Sequence, residues 1–264
     1  MGTRLANRKL RWLYRLSLTR TARVAMVGKQ VHDHFVKSGL VLESNATTVL
    51  NGIPVDRFRN SPERRAAARH SLGLDLDTPV IGCVGRLVAL KNHAVLLAAF
   101  QELLPSFPTL QLVLVGDGPL ANELRALAIE LGIADRVRFL GAHPAVADLL
   151  PAFDVFALPS KTEGLSIALL EACATGLAVV ATAVGGNPDI IADGKTGLLV
   201  AVDDKEALAA ALNGLLSSPS ERARLGTAAS QWVETHASAE SLRIAYDAFY
   251  GSARSTYPRL ASVR

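Results

Sequence analysis

The sequence predicts an α/β protein built on a doubly wound parallel sheet, and three observations carry the prediction. Between about residues 75 and 200, short apolar runs rich in β-branched residues alternate with segments of helical periodicity. That alternation belongs to a parallel sheet covered on both faces. The runs are followed by glycines and polar residues: Gly85-Arg86, Gly116-Asp117-Gly118, Ser160 to Glu163, and Gly185-Gly186. In open α/β sheets the ligand crevice lies beyond the carboxyl ends of the strands. Finally, the 264 residues suit one large domain or one and a half ordinary ones, and a hydrophobic share of 50% is enough for a sizeable core.

The elements follow in order. Residues 23–28 (RVAMVG) read as a strand, followed by a helix to about Ser38, and 47–50 (TTVL) as a second strand. Residues 51–58 (NGIPVDRF) carry the Asn51-Gly52 and Pro54 punctuation of a connecting loop. A helix opens at Pro62 and ends near Gly73. Strands are expected at 79–85 (PVIGCVG), 110–116 (LQLVLVG), 136–141 (RVRFLG), 154–160 (DVFALPS) and 178–184 (AVVATAV), with a short one at 197–200. The intervening helices cover 93–104, 119–132, 144–153 and 166–176, and Pro119 is read as a first helical residue. From Asp204 to about Ser252 the chain reads as two or three helices. The first 50 residues hold too little chain to bury the faces of their own sheet and leave strand edges unpaired. They read as the tail end of another doubly wound domain.

The formal net charge is +4, unevenly spread. Arg4, Arg8, Lys9, Arg11, Arg15, Arg20, Arg23 and Lys29 precede the first acid, Asp33, and without them the balance turns acidic. With Leu5, Leu10, Trp12, Leu13 and Leu16 among the charges, residues 4–23 could lie on an anionic membrane surface. Equally, they could pack on protein outside this chain. Beyond that segment no basic patch is interleaved with aromatics, so nucleic acid is not an expected partner. The longest apolar runs fall short of a membrane span, and no apolar h-region follows the basic N-terminus. Cys83 and Cys173 sit in apolar stretches and read as buried free thiols. A cytoplasmic protein is expected, which could sit at the inner face of the cell membrane.

One motif misleads. Gly116, Gly118 and Ala121 fit the G-x-G-x-x-A spacing of a dinucleotide fold, but the next strand ends in Gly141 rather than in an acid that would hold a ribose. A tight turn explains the glycines. The stronger constellation is distributed. Arg86 and Lys91 fall in the loop after one buried strand. Glu163 falls in the exit loop of another, and a helix starts near Ser166. The amides of Leu165, Ser166 and Ile167 are then free at the positive end of a helix dipole, a ready anion site. Two cations and a helix N-terminus suit a diphosphate. Glu163 beside them suits hydroxyls, as sugars and riboses offer. Glu171 lies two turns along the helix, with its side chain directed back toward the start. No metal-ligand cluster stands out, and His32-Asp33-His34 reads as helix surface.

At these residues the chain resembles the retaining glycosyltransferases of family 4. Their GT-B fold has two facing Rossmann-like domains. The runs NGIPVDRF, VGRLVALKN, LVLVGDGP, VRFLG, LPSKTEGLSIALLEACATG, VVATAVGGNPDII and DGKTGLLV carry the likeness over most of residues 47–200. The GGNPDII form is most similar to bacterial exopolysaccharide and lipopolysaccharide sugar transferases. The resemblance implies transfer of a sugar, with retention and without a metal or other cofactor, from a nucleoside diphosphate sugar to a glycan or lipid-linked acceptor. It places Glu163 on the donor sugar's hydroxyls and Glu171 on the ribose. Arg86 and Lys91 fall on the leaving diphosphate, with Gly85, Gly164, Leu165 and Ser166 around it. Residues from Leu140 to His143 border the nucleobase. It divides the chain into residues 1–56, the end of an otherwise missing acceptor-side domain plus linker; 57–237, a Rossmann-like donor domain; and 238–264, a closing helix and tail. Four readings stay open: a transferase fragment, one subunit of a split enzyme with partners or self-association through residues 1–50, a nucleotide-sugar-binding module without turnover, and an oxidoreductase of the same fold class.

Overall fold

The structure, a computed structural model, describes residues 8–18 and 21–256. The expectation for residues 4–23 lies in part outside them, at 4–7 and 19–20. Helix α1 (Arg8–Leu18) leaves Trp12, Leu13 and Leu16 exposed. Strand β1 (Val24–Met26), helix α2 (Lys29–Lys37) and strand β2 (Ala46–Thr48) form a small βαβ unit with the two strands parallel. The Tyr14 ring lies 6.5 Å from that of Phe35 and joins α1 to α2. In the predicted surface run of α2, His34 is exposed. His32 is half-buried, with Nδ1 3.3 Å from Asp33 Oδ1.

The larger unit is a six-stranded parallel sheet. Its strands are β3 (Val80–Val84), β4 (Gln111–Val115), β5 (Val137–Phe139), β6 (Val155–Leu158), β7 (Ala178–Thr182) and β8 (Leu198–Val200). The spatial order is β5-β4-β3-β6-β7-β8. The chain winds outward from β3 to β5, returns to the other side of β3 as β6, and winds outward again. Between β3 and β6, therefore, the two exit loops diverge and leave a crevice.

Side chains alternate across the strands with period two. Val80, Val84, Val113, Val115, Phe156, Leu158 and Val179 enter the core shared with α3 (Pro62–Ser71), α7 (Ile167–Ala174) and α10 (Pro219–His236). Ile81, Cys83, Leu112, Leu114, Val155, Ala157 and Val180 enter the core shared with α4 (His93–Leu103), α5 (Ala121–Glu130) and α9 (Lys205–Ser217). Cys83 and Cys173 are free and buried as expected, their thiols pushed up to about 12 by loss of solvent. Gly82 stands in mid-strand, where glycine costs entropy, because a Cβ there would lie 1.9 Å from the Phe153 ring.

Local chemistry sets the helix ends. Ser61, Asp204 and Ser218 each accept a first-turn amide through the side chain, at α3, α9 and α10, as N-caps do. The helix expected from Pro119 starts instead at Ala121: Leu120 has the non-helical φ −88°, ψ 5°, and the Ala121 amide closes a tight turn on Gly118 O at 3.0 Å. The helix expected over 144–153 divides into α6 (Val146–Leu149) and a 3₁₀ turn over Leu150–Ala152 around Pro151. A short helix, α8 (Asn187–Ile190), follows β7 in a stretch for which the sequence predicted no element.

Two contacts join the parts. The Ile53 amide donates to Ala237 O and the Ala239 amide to Ile53 O, both at 2.9 Å, where α11 (Ala239–Thr256) begins. Across the molecule, the Lys29 amide at the start of α2 donates to Asp189 Oδ2 of α8 at 2.7 Å.

Candidate active site

The crevice at the winding reversal is a cleft of about 610 Å³. Its walls are the β3 exit loop, with Gly85, Arg86, Val88, Leu90 and Lys91, and the β6 exit loop running into α7, from Thr162 to Ala168. The sequence-predicted residues Gly85, Arg86, Lys91, Glu163, Gly164, Leu165 and Ser166 thus converge on one space. Leu140, His143 and Glu171 are not on its wall. Leu140 continues the β5 pairing through its amide to Leu114 O. His143 is exposed and accepts the Ala145 amide. Glu171 sits in the middle of α7. Loss of solvent pushes its carboxyl above the ordinary range, against the pull of Arg57.

The β3 loop is shaped by one left-handed residue. Asn92 has φ +56°, between a 3₁₀ turn over Ala89–Lys91 and the first residue of α4. Its amide side chain donates to Asp203 Oδ1 at 3.0 Å, and Lys161 Nζ lies 2.9 Å from the same oxygen. The Lys161 amide donates to Leu90 O at 2.8 Å. The exit loops of β3, β6 and β8 are thereby tied together. Behind them His93 is buried, and burial with the nearby Lys91 charge pushes its pKa down to about 4.

Lys91 Nζ donates to Glu163 Oε1 at 2.5 Å, with the two side chains 21% and 9% exposed. The same oxygen accepts the Ser160 hydroxyl at 2.6 Å. Arg86 is exposed and makes no ion pair among the described residues. The Ser166 side chain caps α7 by accepting the Leu169 amide at 3.3 Å. The anion-facing amides are therefore those at the helix start, Ile167 and Ala168, which have no acceptor within the helix. The cleft combines an exposed cation, Arg86, a cation paired with a carboxylate, Lys91 with Glu163, and a helix N-terminus, a set able to hold a phosphate and a hydroxyl group side by side.

The β7 exit loop backs this wall. Gly185 has φ +52°, and a Cβ on it would lie 1.8 Å from Glu163 O; one on Gly186 would lie 2.4 Å from Gly164 O. The Gly186 amide donates to Gly164 O at 2.6 Å. The dinucleotide-like glycines serve packing in the same way. A Cβ on Gly116 would lie 1.9 Å from Gly85 O, and one on Gly118 2.4 Å from Leu87 O. Sequence reasoning placed Ser160 in the right loop without a role. The Ser-x-x-Glu spacing from Ser160 to Glu163 was the available signal, because it brings a hydroxyl and a carboxylate together across one turn.

The family model described as Glycosyl transferases group 1 matches residues 64–232. The GDP-mannose-dependent alpha-(1-6)-phosphatidylinositol monomannoside mannosyltransferase of Mycolicibacterium smegmatis is 40% identical over 192 residues, 69% of this chain and 50% of that protein. The lipopolysaccharide core biosynthesis mannosyltransferase LpsB of Rhizobium meliloti is 33% identical over 199 residues, 73% of this chain and 56% of that protein. Among solved structures, HepE of Anabaena in complex with UDP superposes with a TM-score of 0.82 at 23% identity, covering 88% of this chain and 64% of that one; this likeness concerns the fold alone. The chain spans about half the length of the curated relatives it matches. With a Rossmann-like parallel sheet of the GT-B glycosyltransferase fold, and a family match over most of that sheet and its helices, this chain belongs to the glycosyl transferases group 1 family.

Proposed function

We propose that the chain is the donor half of a retaining, metal-independent glycosyltransferase of family 4. It transfers a hexose from a nucleoside diphosphate to a glycan or lipid-linked acceptor. The observation that carries the reading is the convergence of Arg86, Lys91, Glu163 and the α7 N-terminus on one cleft. When the bond from the anomeric carbon to the β-phosphate breaks, negative charge gathers on the departing phosphate. Lys91, Arg86 and the Ile167 and Ala168 amides stabilise that charge as it develops. Glu163 accepts hydrogen bonds from the sugar's hydroxyls. Glu171, with Leu140 to His143 across the sheet edge, serves the nucleoside. The acceptor hydroxyl attacks on the face the diphosphate leaves.

Relatives named as GDP-mannose-dependent support a GDP-linked donor. Calorimetry in EDTA with UDP, GDP and their hexose conjugates tests the reading. Micromolar to millimolar binding of at least one pair is expected, and loss of all binding to EDTA overturns metal independence.

The other wall of the cleft, in this proposal, comes from the β1–α2–β2 unit completed by further polypeptide or by a partner chain. The exposed Val27 and Leu42 of that unit support it. The exposed Trp12, Leu13 and Leu16 on α1 support docking at the cytoplasmic face of a membrane bearing lipid-linked acceptors. On its own the 264-residue chain is expected to self-associate and to turn over near background, because transfer needs the acceptor hydroxyl held at the anomeric carbon. A monodisperse monomer turning over at about 1 per second or faster refutes this part.

A further inference from the structure

We infer that Ser160 is a positioning residue for Glu163, holding one carboxylate oxygen so that the other stays aimed at the donor sugar after Lys91 has moved to the diphosphate. The inference rests on the donor-site reading above and adds a residue to it. In this structure Glu163 Oε1 receives both the Ser160 hydroxyl, at 2.6 Å, and Lys91 Nζ, at 2.5 Å. Oε2 makes no hydrogen bond among the described residues. The carboxylate is thus divided into an anchored oxygen and a free one.

The two anchors differ in kind. Lys91 is a flexible ammonium on the cleft wall, and an incoming diphosphate brings more negative charge than Glu163 does. It draws Lys91 away. Ser160 is fully buried and cannot follow. Its backbone is fixed from behind. Thr182 Oγ1 donates to Ser160 O at 2.6 Å, and Asn187 Nδ2 donates to Thr182 O at 2.9 Å. Thr182 and Asn187 are themselves buried, at 2% and 0% exposure. The hydroxyl therefore comes from a rigid base built on β7 and α8. A hydrogen bond to an ionised carboxylate is short and about twice as strong as a neutral one, so this one suffices to hold Oε1 alone. With Oε1 held, rotation about the last side-chain bond is arrested and Oε2 keeps its aim. Without it, the carboxylate is free to turn and Oε2 loses its aim at the sugar.

The test measures a ratio. In the full chain, plain UDP and GDP and their hexose conjugates are titrated against wild type, Ser160→Ala and Ser160→Cys. Cysteine keeps the volume and lacks a strong donor. In both variants plain diphosphate binding is expected to stay within about twofold, while the conjugate loses about tenfold, the lower end for a hydrogen bond to a charged group. A role confined to packing would weaken both ligands alike, or neither, and either result overturns the inference. Wild-type protein that binds none of the four ligands overturns the donor-site reading and this inference with it. A second measurement does not depend on how the variants fold. In a crystal structure of the wild type with a nucleotide sugar, the Ser160–Glu163 hydrogen bond should persist while Lys91 contacts phosphate. A Glu163 that has left Ser160 overturns the proposal.

Discussion

Replacing Glu163 by glutamine should tighten the binding of a plain nucleoside diphosphate while abolishing the advantage of the attached sugar. Lys91 is engaged by Glu163: its ammonium lies 2.5 Å from the carboxylate. A diphosphate has to displace that partner. At this separation two unit charges attract by about 6.6 kcal/mol at an effective dielectric of 20 and by about 1.7 kcal/mol in bulk water. The pair is partly open to solvent, so the part recovered on breaking it falls in the range of about 1.5–3 kcal/mol for a charged hydrogen bond. Glutamine keeps the shape and a weaker hydrogen bond and removes the charge. A gain of about 1.4 kcal/mol, or tenfold in Kd, is then expected for UDP or GDP. The hexose conjugate gains less than that or loses, because its hydroxyls meet a neutral amide in place of a carboxylate. Paired titrations at fixed salt give both numbers. If the variant binds plain diphosphate more weakly than wild type does, Glu163 is not a competitor for Lys91 and the reasoning fails.

Other outcomes follow from neighbouring groups. Arg86→Ala should weaken diphosphate binding by about 1.5–3 kcal/mol and leave the unfolding midpoint of the free protein unchanged, since Arg86 makes no ion pair among the described residues; a matching loss of stability would assign it a structural role. His93 is held neutral, with its pKa down at about 4, whereas the unfolded chain titrates near 6.5. Between those values the unfolded state binds more protons. Stability is therefore full above the unfolded value and falls as pH drops toward the folded one, by about 2 kcal/mol between pH 7 and pH 5. Urea unfolding of His93→Leu should show that much less acid sensitivity than wild type, and an equal slope in the two proteins refutes the assignment. For Glu171, burial raises the carboxyl pKa, so the charge opposes folding once the pH is above the folded value. Glu171→Gln should raise the melting temperature at neutral pH by about 2 °C while weakening nucleoside binding; a fall in melting temperature would show that Arg57 outweighs burial.

The sheet was legible because its strands are nearly continuous apolar runs, and such runs fit strands buried on both faces. The cleft was legible for a related reason. With the strands placed, topology alone brings the loops after β3 and β6 to one edge, and Arg86, Lys91 and Glu163 are the ionisable groups in the cleft walls. What spacing could not give was contact. Lys91 and Glu163 stand 72 positions apart, and nothing in the sequence says that one carboxylate oxygen takes both Lys91 and Ser160. One helix start failed because a tight turn precedes it. Pro119 suits a first helical turn, yet Leu120 is non-helical and the Ala121 amide closes back on Gly118 O, so the helix waits until Ala121. Helix α8 escaped notice because four residues are too few for a periodic signal, although Pro188 and Asp189 suit a first turn.

The glycines behind the Glu163–Gly164 peptide have a consequence for how such a site can diversify. Gly185 and Gly186 leave no room for a side chain, since a Cβ on either meets the backbone of the β6 loop at 1.8 and 2.4 Å. This stretch of the β7 loop is closed to side chains, which holds the peptide carrying Glu163 in place. If the cleft takes a sugar as proposed, a change of sugar cannot come from reshaping the cleft from behind. It has to come from the side chains that already face the cleft, at Val88, Leu90, Leu165 and Ile167, or from the opposing wall. In the proposed reading, the Glu163 carboxylate is then the fixed reference point from which every such change in specificity must be measured.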